Sequence, residues 1–168
     1  MVTGRSLSRA VGSTTSGIAV ALALSWAEMA VAADAERVIQ LTQTGCQFLE
    51  SEGGVDRGFE PRSAEDCNRI NGETGDQRLA NAEILELSPG TYTFRVTNTD
   101  VPYELGFWLR EADYQLGNPM HKLTKVSVSG GGLDQGQTKD YMVELKPGEY
   151  LYSCPLNPTP NYKLVVKG

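Results

Sequence analysis

At least five short segments of this chain alternate large apolar with polar residues at a period of two, and a Pro-Gly pair precedes two of them. In residues 91–97 the apolar set is Tyr92, Phe94 and Val96, and in residues 103–109 it is Tyr103, Leu105, Phe107 and Leu109. Tyr141, Val143 and Leu145 repeat the spacing, as do Tyr150, Tyr152 and Cys154, and then Tyr162, Leu164 and Val166. Residues 38–41 and 82–87 add two more apolar runs, and Leu123 with Val126 and Val128 keeps the period less strictly. A chain with this pattern buries one face of each strand, so it predicts an all-β antiparallel sandwich. At 168 residues and 40% hydrophobic content there is enough material for one such core.

The pattern also echoes itself. Glu86-Leu87-Ser88-Pro89-Gly90-Thr91-Tyr92 matches Glu144-Leu145-Lys146-Pro147-Gly148-Glu149-Tyr150 at an offset of 58. Two copies are too few for a solenoid and are read as equivalent hairpins, one in each sheet. The offset puts Cys154 where Val96 stands, which points its side chain inward at the end of a strand.

Residues 50–80 interrupt the strands with Gly, Asp, Glu, Arg and Asn. Ser63 followed by Asp66 can cap a short helix there, and Gly72 can end it. This segment is expected to be an insertion with one short helix. Residues 113–120 and the Gly130-Gly131-Gly132 run are expected to be loops.

The first 32 residues read as a cleavable secretory signal. Arg5 and Arg9 supply the basic start, residues 17–27 the apolar stretch, and Ala30-Val31-Ala32 the small-residue cleavage site. The mature chain, residues 33–168, then carries 13 bases and 20 acids. It is expected to be a periplasmic protein without a membrane span, and its acidity argues against nucleic acid. In an oxidising compartment cysteines pair, and three cannot all do so within one chain. The alternatives are Cys46–Cys67 and Cys46–Cys154. The first is preferred, because Cys67 sits where large apolar side chains are scarce and a staple has a purpose.

One histidine, His121, is present. A blue-copper site takes two with a cysteine, and catalytic zinc sites take two or three, so neither can be built from this chain alone. Ser153 has no visible base and no glycine-rich phosphate loop precedes a helix, so the chain is not expected to be an enzyme.

Residues 146–156, running through Pro147-Gly148 into Cys154, resemble the last hairpin of cupredoxins, where such a turn leads to the cysteine ligand. Residues 97–105 resemble the strand that delivers the first histidine of that family. The resemblance implies a cupredoxin-like Greek-key β-sandwich. It also aligns Tyr103 and Asn157 with histidine positions, so that two of three strong ligands are missing. The chain is most similar to the cupredoxin-like domain of periplasmic Efe-type iron-uptake proteins, on Cys46, Cys154, Glu104 and the tail Lys163-Leu164-Val165-Val166-Lys167-Gly168. That likeness covers residues 36–49 and 82–168, leaves the insertion with Cys67 outside, and implies pairing of the early and late cysteines.

Two functions follow as expectations. In the first, a non-standard site built from Cys154, Glu104, Tyr103 and Asn157, with Met120 and His121 as further candidates, holds a copper or iron ion for uptake or delivery. In the second, the scaffold is metal-free and acts as an accessory subunit for a periplasmic or membrane-bound protein partner. Pro155, Pro158 and Pro160 would then stiffen the docking loop.

Overall fold

A computed structural model describes residues 37–168, all within the compact unit Asp34–Gly168. The expected signal, residues 1–32, lies outside the described residues. The strands are β1 (Arg37–Thr44), β2 (Gln47–Phe48), β3 (Leu85–Leu87), β4 (Gly90–Asn98), β5 (Leu105–Glu111), β6 (Ser127–Leu133), β7 (Thr138–Leu145), β8 (Gly148–Ser153) and β9 (Tyr162–Val166). They form two sheets, ordered β2-β1-β4-β7 and β3-β9-β8-β5-β6. The all-β cupredoxin-like Greek-key sandwich expected from the sequence is therefore present. Among the described residues no helix is long and apolar enough to cross a membrane.

The period-two residues are the core. Phe94, Val96, Leu105, Phe107, Leu109, Tyr150, Tyr162 and Leu164 are all at most 1% exposed. Phe107 stacks on Phe94 with centroids 5.5 Å apart, while Phe48 meets Phe107, Tyr152 and Tyr162 edge-on, which joins the two sheets through aromatic contacts.

Pairing departs from the expected antiparallel pattern at two places. β1 runs parallel to β4, and β3 parallel to β9. The echoed Pro-Gly motifs explain this. They are not hairpins within a sheet: one carries the chain from β3 in the second sheet to β4 in the first, and the other returns it from β7 to β8. At each crossing the tyrosine two residues past the glycine folds back. Tyr92 donates its hydroxyl proton to Ser88 O at 2.9 Å, and Tyr150 donates to Lys146 O at 2.9 Å. The Tyr150 oxygen also accepts the Lys146 N–H at 3.1 Å. The motif therefore encodes a tyrosine corner between sheets, and chain reversal through corners is what makes non-consecutive strands neighbours.

Three further expectations are corrected. Gly130, Gly131 and Gly132 are not a loop but lie within β6, where Gly130 pairs with Phe107 of β5; the close approach rests on Gly106 of β5, where a Cβ would sit 2.7 Å from Gly130 O. Leu123 belongs to no strand; it lies in the short helix α2 (His121–Thr124) and is 81% exposed. The insertion's helix, α1 (Ala64–Ala80), is 17 residues long and runs through Gly72 and Gly75. Its start is close to the expected one: Ser63 is the N-cap, although its hydroxyl makes no cap bond, and Asp66 accepts the Arg62 N–H at 2.9 Å.

What holds α1 is polar. Cys67, Asn71, Gly75 and Arg78 recur at helical spacing along one face. Cys67 is bonded to Cys46, with Cα atoms 5.1 Å apart. Asn71 donates to Pro158 O, and Arg78 is 3% exposed. Arg78 grips Glu52 through Nε at 2.9 Å and Nη2 at 2.6 Å, and donates from Nη2 to Cys46 O at 2.9 Å. Glu52 also accepts from Arg57 and from the Tyr162 hydroxyl. Burial alone would raise the Glu52 pKa, but hydrogen bonds from Arg78, Arg57 and Tyr162 outweigh it and hold the carboxyl below its ordinary 4.5.

The corner tyrosines and Glu52 each set expected outcomes. Tyr150→Phe, which leaves Lys146 without its side-chain partner, costs about 1–2 kcal/mol in urea unfolding, and Tyr92→Phe costs less, about 1 kcal/mol. Because the folded carboxyl is the stronger acid, Glu52 contributes its full stabilisation above pH 4.5 and loses it as the pH falls through the lower, folded value. Glu52→Gln strands Arg78, costs about 3 kcal/mol at neutral pH and flattens the acid limb of a melting-temperature profile.

Candidate functional site

The cysteine end of the sandwich is built where β8 runs out. Cys154 follows the last residue of β8, faces inward and is 1% exposed. It is the free cysteine, the other two being the Cys46–Cys67 disulfide. The pairing preferred from the residues is the one observed, and the early–late pairing implied by the Efe-type likeness is not. A disulfide there closes a separation of 21 residues, worth roughly 3 kcal/mol in the chain-entropy picture.

Backbone amides surround the thiol. The N–H groups of Asn157 at 3.2 Å and of Gly106 at 3.4 Å point at Cys154 Sγ. Gly106 can approach because β5 carries an irregularity between Leu105 and Phe107 at this level. Burial pushes the thiol's pKa up, and the amides of Gly106, Asn157 and Leu156 only partly oppose that. At neutral pH the group is a thiol, not a thiolate.

Asn157 has no exposure and uses every side-chain atom that can bond. Its Oδ1 accepts the Cys46 N–H at 3.2 Å and the Tyr103 hydroxyl at 3.1 Å, and its Nδ2 donates to Thr44 O at 3.0 Å. Cys67 Sγ lies 2.9 Å from the same Oδ1. Cys46 needs this grip because its backbone is left-handed, with φ 60°; Asn157 holds its N–H while Arg78 holds its carbonyl. Burial raises the Tyr103 hydroxyl to about 12, with smaller contributions from Cys154 and Asp66.

The other candidate ligands are elsewhere or engaged. Glu104 is exposed, as its phase predicts, and its carboxylate accepts the Gly132 N–H at 2.7 Å. Met120 and His121 stand at the start of α2, where His121 packs on Tyr114 with ring centroids 6.0 Å apart and Tyr114 packs on Trp108 at 6.1 Å. His121 there accepts the Gln115 N–H at 2.9 Å through Nδ1. The structure thus gathers Cys154, Asn157 and Tyr103 and leaves Glu104, Met120 and His121 outside.

A copper or iron ion does not fit what is gathered. Thiol, phenol and amide are all neutral here, and the phenol proton is already committed to Asn157. Among the described residues no group of three or more His, Cys, Asp or Glu side chains could hold a metal. Two buried oxygens without partners, Gln43 Oε1 and Thr44 Oγ1, lie on β1; as neutral oxygens they suit a trapped water better than a soft cation.

Sequence reasoning did not find Thr44, Gly106, Glu52 or Arg78. The spacing of Cys67, Asn71, Gly75 and Arg78 was the available signal, but it is a polar stripe and escapes a search for apolar periodicity. Asn157→Ala leaves the Cys46 N–H, the Thr44 carbonyl and the Tyr103 hydroxyl unpaired, so we expect a loss of about 2–3 kcal/mol in denaturant unfolding. The Cys154 thiol should stay unmodified by iodoacetamide until the chain is unfolded.

Comparison with known proteins bears on shape alone. No family model and no curated protein matches the chain. Matching solved structures include auracyanin B, 11% identical over 79% of this chain and 89% of that one, with a TM-score of 0.48. Lac15 from a marine microbial metagenome is 17% identical over 79% of this chain, with a TM-score of 0.37, and this chain spans 27% of its length. Likenesses this distant carry no ligand or activity across.

Proposed function

We propose that this chain is an exported, non-catalytic cupredoxin-like scaffold that works by binding a protein partner and holds no metal. The observation that supports it is the Tyr103–Asn157 hydrogen bond at 3.1 Å. The two positions aligned with histidines are spent on each other, packed against the Cys46–Cys67 disulfide. A buried, fully bonded amide stabilises the loop at this end, and admitting an ion would break bonds that cost about 1–3 kcal/mol each to leave unmade.

A periplasmic setting is supported by the sequence of residues 1–32 and by the disulfide, which suits an oxidising compartment. The Efe-type resemblance favours a partner in iron uptake. Pro155 and Leu156 are exposed on the loop after Cys154, and the loop is fixed at both ends: Thr159 Oγ1 accepts the Cys154 N–H at 3.1 Å, and Asn71 holds Pro158 O. A loop already ordered loses little entropy on docking.

One observation favours the second reading, metal handling through Cys154. The same amides that face the thiol would stabilise a thiolate if an ion displaced its proton. Elemental analysis of the purified protein after incubation with copper and with iron decides between the two. We expect far less than one equivalent of either metal. One equivalent retained by the wild type and lost in Cys154→Ala would overturn the metal-free reading.

A further inference from the structure

The outer face of the second sheet carries a groove of about 360 Å³ remote in chemistry from the cysteine end. The end of α1 and the segment after it supply Leu79 and Ile84, which are 38% and 53% exposed. Leu151 of β8 lies in the groove, with Asn161 and Lys163 beside it. Strand register sets three side chains of the sheet in a row, since Arg110 pairs with Leu151 and Leu151 with Lys163. The row reads cation, leucine, cation.

Arg110 combines burial with the lack of a carboxylate partner. It is 8% exposed, yet its hydrogen bonds go to neutral atoms: Ser153 Oγ at 3.2 Å, Asn161 Oδ1 at 2.7 Å and Trp108 O at 3.5 Å. Its guanidinium lies 4.0 Å from the Trp108 ring centroid. Arg57, Arg78 and Arg95, by contrast, each hold a carboxylate. Lys163 has only a 3.7 Å contact with Glu149, both about half exposed, and such a pair holds weakly. Glu83 is the acid in the groove lining and Glu149 faces Lys163, so the charge left without a carboxylate is Arg110, which meets the lining through Asn161. A buried guanidinium whose acceptors are all neutral gains on meeting a carboxylate, because charge-assisted bonds are roughly twice as strong.

We propose that this groove docks a partner segment in which a carboxylate stands beside leucine-like side chains. The carboxylate takes Arg110, displacing the Asn161 amide oxygen, and Lys163 supports it. The apolar side chains cover Leu79, Ile84 and Leu151, which are left part-exposed in the free chain. This inference rests on the scaffold reading above and names the chemistry of its partner.

The test is a nuclear magnetic resonance titration of the labelled chain with two blocked tetrapeptides, Leu-Leu-Glu-Leu and Leu-Leu-Lys-Leu. The acidic peptide should shift the methyl signals of Leu79, Ile84 and Leu151 and the Arg110 Nε–H signal. The lysine peptide should bind at least about tenfold more weakly, as should the acidic peptide to Leu151→Glu and to Lys163→Glu. Both variants change the sheet's outer surface, so their folding is checked by the unchanged core signals of Phe94 and Phe107. Met142→Glu, 70% exposed on β7 of the other sheet, should leave binding unchanged. Equal binding of the two peptides, shifts confined to another face, or no shifts from either overturns the proposal. Peptide failure with a metal-free chain removes this inference and leaves the scaffold reading, whereas a bound metal removes that reading whatever the peptides do.

Discussion

The cysteine end of this protein depends on the side-chain amide of Asn157. One buried group satisfies the Cys46 N–H, the Thr44 carbonyl and the Tyr103 hydroxyl, while the backbone N–H of the same residue meets the Cys154 sulfur. It thereby ties β1, the turn into β2, the segment before β5 and the loop after β8 at a single point. An amide can do this because it carries donors and an acceptor on one rigid plane. A histidine offers one donor and one acceptor when neutral, so it could not satisfy the same three partners. The chemistry that closes this end is thus the same chemistry that leaves no ligand set there.

A second constraint couples the insertion to the sandwich. Helix α1 buries Cys67, Gly75 and Arg78 and no large apolar residue. Helices normally stay in place by burying an apolar stripe. Here a covalent bond and the Glu52–Arg78 pair take that role. Taking two charges out of water is costly, so such a pair adds little net stability over a hydrophobic contact. What it supplies is position: Arg78 reaches Glu52 and Cys46 O only when α1 lies in one register. The disulfide fixes one end of that register and the ion pair the other.

Much of the fold is legible in the sequence because strand burial has a period of two and few competing readings. Tyr92, Phe94, Val96, Leu105, Phe107 and Leu109 all fall on the buried side as their alternation requires. Cys154 is legible in the same way, through its phase with Tyr150 and Tyr152. The limits are physical as well. Gly72 looks like a helix stop because glycine costs about 1 kcal/mol within a helix, but the contacts at Cys67 and Arg78 outweigh it. The glycines of β6 look like a loop because nothing local records that they pair with β5.

From the sequence alone came the apolar periodicity, the sandwich, the inward cysteine and the scarcity of histidine, because each depends on residue type and near spacing. Tertiary structure decided which strands are neighbours, how far α1 extends, and what surrounds Cys154. These depend on partners 21 to 113 positions apart, such as Cys67 with Cys46 and Asn157 with Thr44. Polar contacts at that range leave no periodic trace in the chain. Arg110 shows the same limit from the surface side, since only the folded sheet reveals that its hydrogen-bond partners are all uncharged.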